Sequence, residues 1–192
     1  MLKDLIYRNR SYRRFYQDEK VSVETLKELV DLARHSASGA NLQSLKYILS
    51  CDPAVNDKIF RHLGWAAYLK DWKGPGEGER PPAYIVVLGD TRIHSNFFCD
   101  HGIACQSMLL EAVEKGLGGC MLASIDRKGL AKDLSIENHF EIMLVVALGR
   151  PRESVRVEYI EAGGDIKYWR DEKDVHHVPK RPLEEIIWKI YG

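Results

Sequence analysis

YIVVL, residues 84–88, is five apolar residues in a row, and EIMLVVAL, residues 141–148, carries one charge at its start and none after it. Runs of this length without polar alternation suit strands covered on both faces. Between them, Ile103, Ala104, Met108, Leu109, Ala112 and Val113 recur at helical spacing, which predicts a long helix over Asp100 to Lys115 with a broad apolar face. Gly116 ends it, and Lys115 in the last turn meets the negative end of the helix. Gly118 to Ser124 reads as a short buried strand and Arg127 to Leu134 as a short helix.

Upstream, Leu2 to Asn9 reads as a short helix. Ser22 can cap a helix from Val23 to His35, because Leu26, Leu29, Val30 and Ala33 lie on one side of it. Leu45 to Cys51 alternates like a strand, and Pro53 opens a helix running to Leu63. WKGPGEGERPP, residues 72–82, is a loop that either borders a site or decorates the surface. Beyond Arg150 the chain is polar as far as Pro182. Leu183, Ile186, Ile187 and Ile190 then predict an amphipathic terminal helix. The expected fold is α+β, a mixed sheet flanked by helices in a single domain over residues 1–192. The C-terminal tail is expected to extend over a second subunit, where the last helix would bury its apolar stripe.

Lys+Arg and Asp+Glu both number 28 in 192 residues, so the formal net charge is zero. No global basic field is present for nucleic acid or an anionic membrane, and neither partner is expected. No uncharged apolar run approaches the roughly 20 residues of a membrane span. Met1 to Arg14 alternates apolar and charged residues, so no secretory signal is expected. The four cysteines form no CxxC pair and read as buried reduced thiols of a cytoplasmic protein. The seven scattered histidines supply no convergent ligand set, so no metal is expected.

Four segments can hold a ligand. RNRSYRRF, residues 8–15, offers Arg10, Ser11 and Arg13, whose guanidinium and hydroxyl groups suit phosphate oxygens. It reads equally as a charged helix end. Ala37 to Gln43 combines small residues with Asn41 and Gln43, whose amides match the carbonyl and N–H edge of a heterocycle. Its bland alternative is a helix end followed by a turn. Gly116-Leu117-Gly118-Gly119, leading into Cys120 to Ala123, lies at a helix-to-strand junction; it is not the GxGxxG phosphate fingerprint. Pro179-Lys180-Arg181-Pro182 either closes on an anion or is solvated. No serine–histidine–acid signature and no paired carboxylates stand out, so no catalytic side chain is named. Ligand-holding groups without a side-chain catalyst are expected where a cofactor carries the reaction.

In this order the four segments resemble the FMN-dependent nitroreductase family. The family opens roughly on Arg-Arg-Ser-x-Arg-x-Phe, and Asn9 to Phe15 is similar to it. Its second motif, near Pro-Ser-x-x-Asn-x-Gln-Pro-Trp, corresponds to Ala37 to Leu45, its Gly-Leu-Gly to Gly116 to Gly118, and its late basic motif to Pro179 to Arg181. The resemblance implies that Asn9, Arg10, Ser11 and Arg13 hold the FMN phosphate, with Lys180 closing on it. Arg14 is expected to face solvent. Ser38, Gly39, Asn41 and Gln43 would line the ring and ribityl side, and main-chain groups of Met121, Leu122 and Ala123 would approach the flavin. Asn9, Ala37 and Ser44-Leu45 depart from the family's arginine, proline and Pro-Trp.

The resemblance further implies a homodimer with FMN at the subunit interface. It implies an oxidoreductase that takes hydride from NAD(P)H through flavin N5 and passes it to a nitroaromatic, quinone-like or other electron-poor small molecule, with ping-pong kinetics. Two alternatives remain open at this point: a relative that performs dehalogenation or flavin breakdown, and an FMN-binding storage or sensor protein without turnover.

Overall fold

A computed structural model describes every residue, Met1–Gly192. The chain divides into two compact units. The first comprises Met1–Trp65 and Gly74–Arg152; the second comprises Ala66–Lys73 and Glu153–Gly192.

The first unit is built on two apolar runs. They become β2 (Ala83–Asp90), buried at all eight positions, and β4 (Phe140–Gly149). With β1 (Leu45–Ser50) and β3 (Gly118–Leu122) they make a sheet in the order β1-β2-β4-β3, so the two apolar runs are its central strands. Every ladder in it is antiparallel. A parallel bridge from Ser11 to Gly119 adds the N-terminal arm beyond β3 and makes that margin mixed. Helices α2 (Val23–Arg34) and α4 (Asp100–Glu114) pack on each other over one face. Leu26 and Leu29 of α2 and Met108 and Leu109 of α4 meet Ile85, Val87, Val146 and Leu148 of the sheet. Burying each such side chain stabilises the fold by about 1.5–3 kcal/mol. Ser22 caps α2 as expected, its hydroxyl accepting the Thr25 N–H at 3.0 Å. Asp52 does the same for α3 (Pro53–Phe60), which ends one turn before Leu63. Short helices α1 (Leu2–Arg8) and α5 (Arg127–Asp133) complete the unit.

In the second unit the polar stretch before Pro182 forms strands that the sequence reading did not place. It holds a three-stranded sheet in the order β5-β7-β6, formed by Val155–Tyr159, His176–Lys180 and Trp169–Arg170. β5 and β7 run parallel and β6 antiparallel. The expected terminal helix shrinks to one turn, α6 (Leu183–Ile186), and Trp188 beyond it is 92% exposed. So short a helix is unstable unless its apolar face is packed, and within this unit that face stays exposed. The thiols also differ from expectation: Cys105 and Cys120 are buried, whereas Cys99 is exposed. No helix is long and apolar enough to cross a membrane.

Candidate functional site

The first and third segments come together. Asn9 follows α1 and its N–H donates to the Leu5 carbonyl at 2.8 Å. Arg10 Nη2 donates to the Ile6 carbonyl at 2.6 Å, and Arg10 Nε is buried with no partner. Ser11 bridges to Gly119, and the Tyr12 N–H donates to the Gly119 carbonyl at 3.0 Å. Arg13 Nη1 reaches the Ser11 carbonyl at 3.1 Å. Gly118 must be glycine for the arm to lie there, since a Cβ would stand 2.5 Å from the Tyr12 ring and 2.7 Å from Pro151. β3 is an edge strand, and Gly119 turns its carbonyl outward to Tyr12. Alternate residues of a strand face the same way, so the main chain of Met121, about 7 Å further along, faces the same open edge. Leu122 is buried and Ala123, just past the strand, is exposed.

Arg14 does not face solvent. Its Nε and Nη2 grip Glu79 at 2.8 and 2.6 Å, and the Phe15 N–H donates to the Glu79 carbonyl at 2.9 Å. Gln17 Oε1 accepts the N–H groups of Gly78 and Arg80. The far end of the Gly/Pro-rich loop is therefore stitched to the arm that carries Arg10 to Arg13.

The second segment is held by a residue the sequence did not single out. Asp100, buried at the first position of α4, accepts from Ser38 Oγ at 2.6 Å and from the Gly39 N–H at 2.9 Å. Ser38 Oγ in turn accepts the Gln43 N–H at 3.0 Å. The Ser38 hydroxyl is thus committed to shaping the loop. The clamp sustains a strained backbone: Ala40, Asn41 and Gln43 all have left-handed φ, at 49°, 55° and 52°. Each such residue costs about 1 kcal/mol or more, and strain of this kind clusters at functional sites. Asn41 and Gln43 are exposed, and Gln43 Nε2 donates to the Asn41 carbonyl at 3.3 Å. Phe98 lies over Gly39, where a Cβ would stand 2.6 Å from its ring. Nearby, burial pushes the Tyr47 phenol up to about 12, with Cys105 and the Asp100 carboxylate adding to it. No local motif announces Asp100 or Phe98, because each meets its partner some 60 residues away in sequence.

The first unit thus joins the first and third segments and holds the second apart. Arg8 Nη2 reaches the Val113 carbonyl near the C-terminal end of α4, whereas Ser38 and Gly39 grip its first residue. Thirteen residue steps of helix, from Asp100 to Val113, separate these points by about 20 Å. The second segment also leads into β1, the sheet edge opposite β3, three strand spacings or about 14 Å away. Lys180 is exposed at the end of β7 in the second unit. No group of three or more His, Cys, Asp or Glu side chains is arranged to hold a metal.

A model of the nitroreductase family matches residues 6–150. The chain belongs to the nitroreductase family. The matched residues run from α1 through the end of β4, and the motifs that carry the resemblance in the first unit fall inside them. MhqN of Bacillus subtilis, a protein named for NAD(P)H nitroreductase activity, is 20% identical over 79% of this chain and 89% of its own length. A Desulfovibrio desulfuricans protein described as a nitroreductase and solved in complex with FMN has a TM-score of 0.71 at 23% identity, covering 100% of this chain and 97% of that one. A nitroreductase family protein of Streptococcus pneumoniae has a TM-score of 0.68 at 15% identity, covering 83% and 95%. At these identities the likeness shows the nitroreductase fold.

Proposed function

We propose that this nitroreductase-family chain is an FMN-dependent oxidoreductase, working as a homodimer, that uses NAD(P)H to reduce nitroaromatic, quinone-like or other electron-poor acceptors. The observation that carries the proposal is the Arg10–Arg13 arm laid on the open edge of β3, with Arg10 Nε buried and unpartnered. A buried guanidinium N–H without an acceptor is matched by an anion, and a phosphate oxygen fits it. Arg10, Ser11 and Arg13, with Asn9 beside them, would hold that phosphate. The outward main chain of Met121, followed by Leu122 and Ala123, offers donors and acceptors to the ring. The similar Desulfovibrio protein, solved with FMN, supports the choice of cofactor.

The strained Ser38–Gln43 loop would line the ring as well, through the Gly39 backbone and the Asn41 and Gln43 amides. It sits at the other end of α4, so one flavin touching both groups takes the loop from a second copy of the chain. This supports the homodimer. When bound, FMN supplies the redox chemistry: hydride uptake from NAD(P)H and its delivery to the acceptor in two alternating half-reactions. The chain's own residues bind, orient and stabilise charge, with no side chain acting as acid or base. On this proposal the protein works in the cytoplasm, where reduced nicotinamides are made.

The test is spectroscopic. The purified protein should be yellow, bleach with NADH or NADPH, and recolour on adding a nitroaromatic or a quinone. Yellow protein that never bleaches would leave only a flavin binder, and protein that takes up no FMN would remove the flavin. Arg13→Ala should weaken FMN binding by about 2–4 kcal/mol, as expected for losing a charge-assisted phosphate contact. Arg61→Ala, on a side chain 64% exposed, should leave it unchanged. Equal flavin dissociation constants for the two variants would reject the role of Arg13.

A further inference from the structure

Beside the Gly/Pro-rich loop, the first unit contains a cavity of about 360 Å³ that shares no residue with the Arg10–Arg13 arm or the Ser38–Gln43 loop. Its volume falls in the range of small-molecule sites. Val21, Phe60 and Pro82 give it apolar walls, and Asn56, Arg80 and Tyr84 give it polar ones. Asn56 is buried and committed: Nδ2 donates to the Pro82 carbonyl at 2.7 Å, and Oδ1 accepts from Ser50 Oγ at 2.7 Å.

Arg80 is fixed from three directions. Its N–H donates to Gln17 Oε1 at 3.1 Å, Nη1 donates to Asp57 Oδ1 at 3.3 Å, and the guanidinium carbon lies 4.4 Å from the centroid of the Phe60 ring. Its Nε is left buried with no acceptor. Tyr84 is 1% exposed, and its hydroxyl is likewise buried with no partner. Burial holds this phenol well above its ordinary value, with Arg80 pulling the other way and Asp57 adding to the rise, so it keeps its proton. Tyr84 and Arg80 line the same cavity. One cavity therefore holds two buried N–H or O–H donors in need of acceptors. Leaving such a donor unmatched costs about 1–3 kcal/mol.

We infer that this cavity is a second ligand site that takes a small monocarboxylate with an apolar body. Its two oxygens accept from Tyr84 Oη and Arg80 Nε, and its carbon skeleton lies against Phe60, Val21 and Pro82. Two fixed donors match the paired oxygens of a carboxylate, and the charge on Arg80 strengthens one of the bonds. A dianion is disfavoured, because the lining carries no surplus of positive charge: Asp57 already engages Arg80, and the exposed Asp18 and Lys20 offset each other. The apolar walls favour a ring or a branched chain over a hydroxy acid.

Benzoate is the probe and benzamide its uncharged counterpart, tested on the protein as purified by methyl NMR. Benzoate should shift the Val21 methyl signals saturably, leave the Met121 methyl in place, and bind about tenfold or more tightly than benzamide. Arg80→Gln and Tyr84→Phe should each raise the benzoate dissociation constant about tenfold with an unchanged circular dichroism spectrum. Should Tyr84→Phe fail to fold, Arg80→Gln decides the matter. No saturable shift at Val21, equal affinity for benzamide, or an unchanged constant in Arg80→Gln overturns the site. A response confined to Met121 also overturns it, since benzoate would then be bound at the β3 edge.

Discussion

Asp100 is a single carboxylate with two donors on it, and both belong to the corner where the chain enters left-handed backbone at Ala40. The strain beyond that corner persists because the clamp over-determines it. Asp100→Ala removes the acceptor for Ser38 Oγ and the Gly39 N–H together. It should lower unfolding stability by about 2–4 kcal/mol in a urea titration and weaken flavin binding as the loop relaxes. An unchanged urea midpoint would show that the loop holds its shape without the clamp. At this scale the sequence displays donors and acceptors and hides their commitments. Asn41 and Gln43 were legible as amide side chains of an exposed loop, though the bond from Gln43 Nε2 to the Asn41 carbonyl was not. The hydroxyl of Ser38 looked available, and Arg14 looked solvated, yet Arg14 grips Glu79, whose side chain is only 17% exposed. Removing Arg14 would strip a mostly buried carboxylate of its two-pronged partner and leave Arg152 Nε at 3.8 Å, so Arg14→Ala would disturb folding and makes no neutral control. Asp100 and Glu79 were invisible because their partners are more than 60 residues away.

Element by element, legibility followed hydrophobic pattern. β2 and β4 were plain as unbroken apolar runs, and α2 and α4 showed apolar faces at helical spacing with a serine cap and a terminal glycine. β5 did alternate, with Val155, Val157 and Tyr159 on one side, but among charged neighbours the pattern is short. β6 is two residues long and has no pattern to read. What fixes this small sheet is polar. His177 Nδ1 meets Glu158 Oε1 at 2.7 Å, Nε2 meets Asp171 Oδ2 at 3.2 Å, and the imidazole stacks on Trp169 with centroids 3.9 Å apart. Hydrogen bonding to Glu158, and next to Asp171, raises the His177 pKa above 6.5 against the effect of desolvation. A raised histidine stabilises the folded state fully below its unfolded value and loses that contribution as pH climbs through the folded one. Asp171 is lowered, chiefly by the Val175 N–H, so its contribution is present above 3.8 and fades in acid. The second unit should therefore loosen as pH rises above about 6.5, read by Trp169 fluorescence in a variant lacking the other tryptophans. His177→Gln should flatten that response, and a wild-type signal constant over that rise would exclude the imidazolium as the tie.

For the whole molecule, the family resemblance agreed with the family match, inside which three of the four motifs fall, and with the fold. Whether the motifs gather in one chain was not legible, because spacing along a sequence says nothing about the ends of a helix they reach. Within the first unit the structure puts the first and third motifs at one end of α4 and the second at the other. It also leaves Leu183, Ile186, Trp188, Ile190 and Tyr191 exposed at the C-terminus, a run of apolar side chains without a core of its own. If a second copy covers them, light scattering at micromolar concentration should give twice the chain mass, and deleting residues 183–192 should shift the population towards monomer. A full-length protein that is monomeric under those conditions would sink the homodimer.

The roughly 20 Å of α4 then sets a rule of inheritance. In the proposed homodimer each polypeptide would donate a clasp to one niche and a floor to the other, so a crippled clasp and a crippled floor carried by different partners would fall in the same niche. The remaining niche would be built wholly from sound parts. Two individually defective variants, co-expressed and pairing at random, would regain half their colour in the mixed dimer and about a quarter overall.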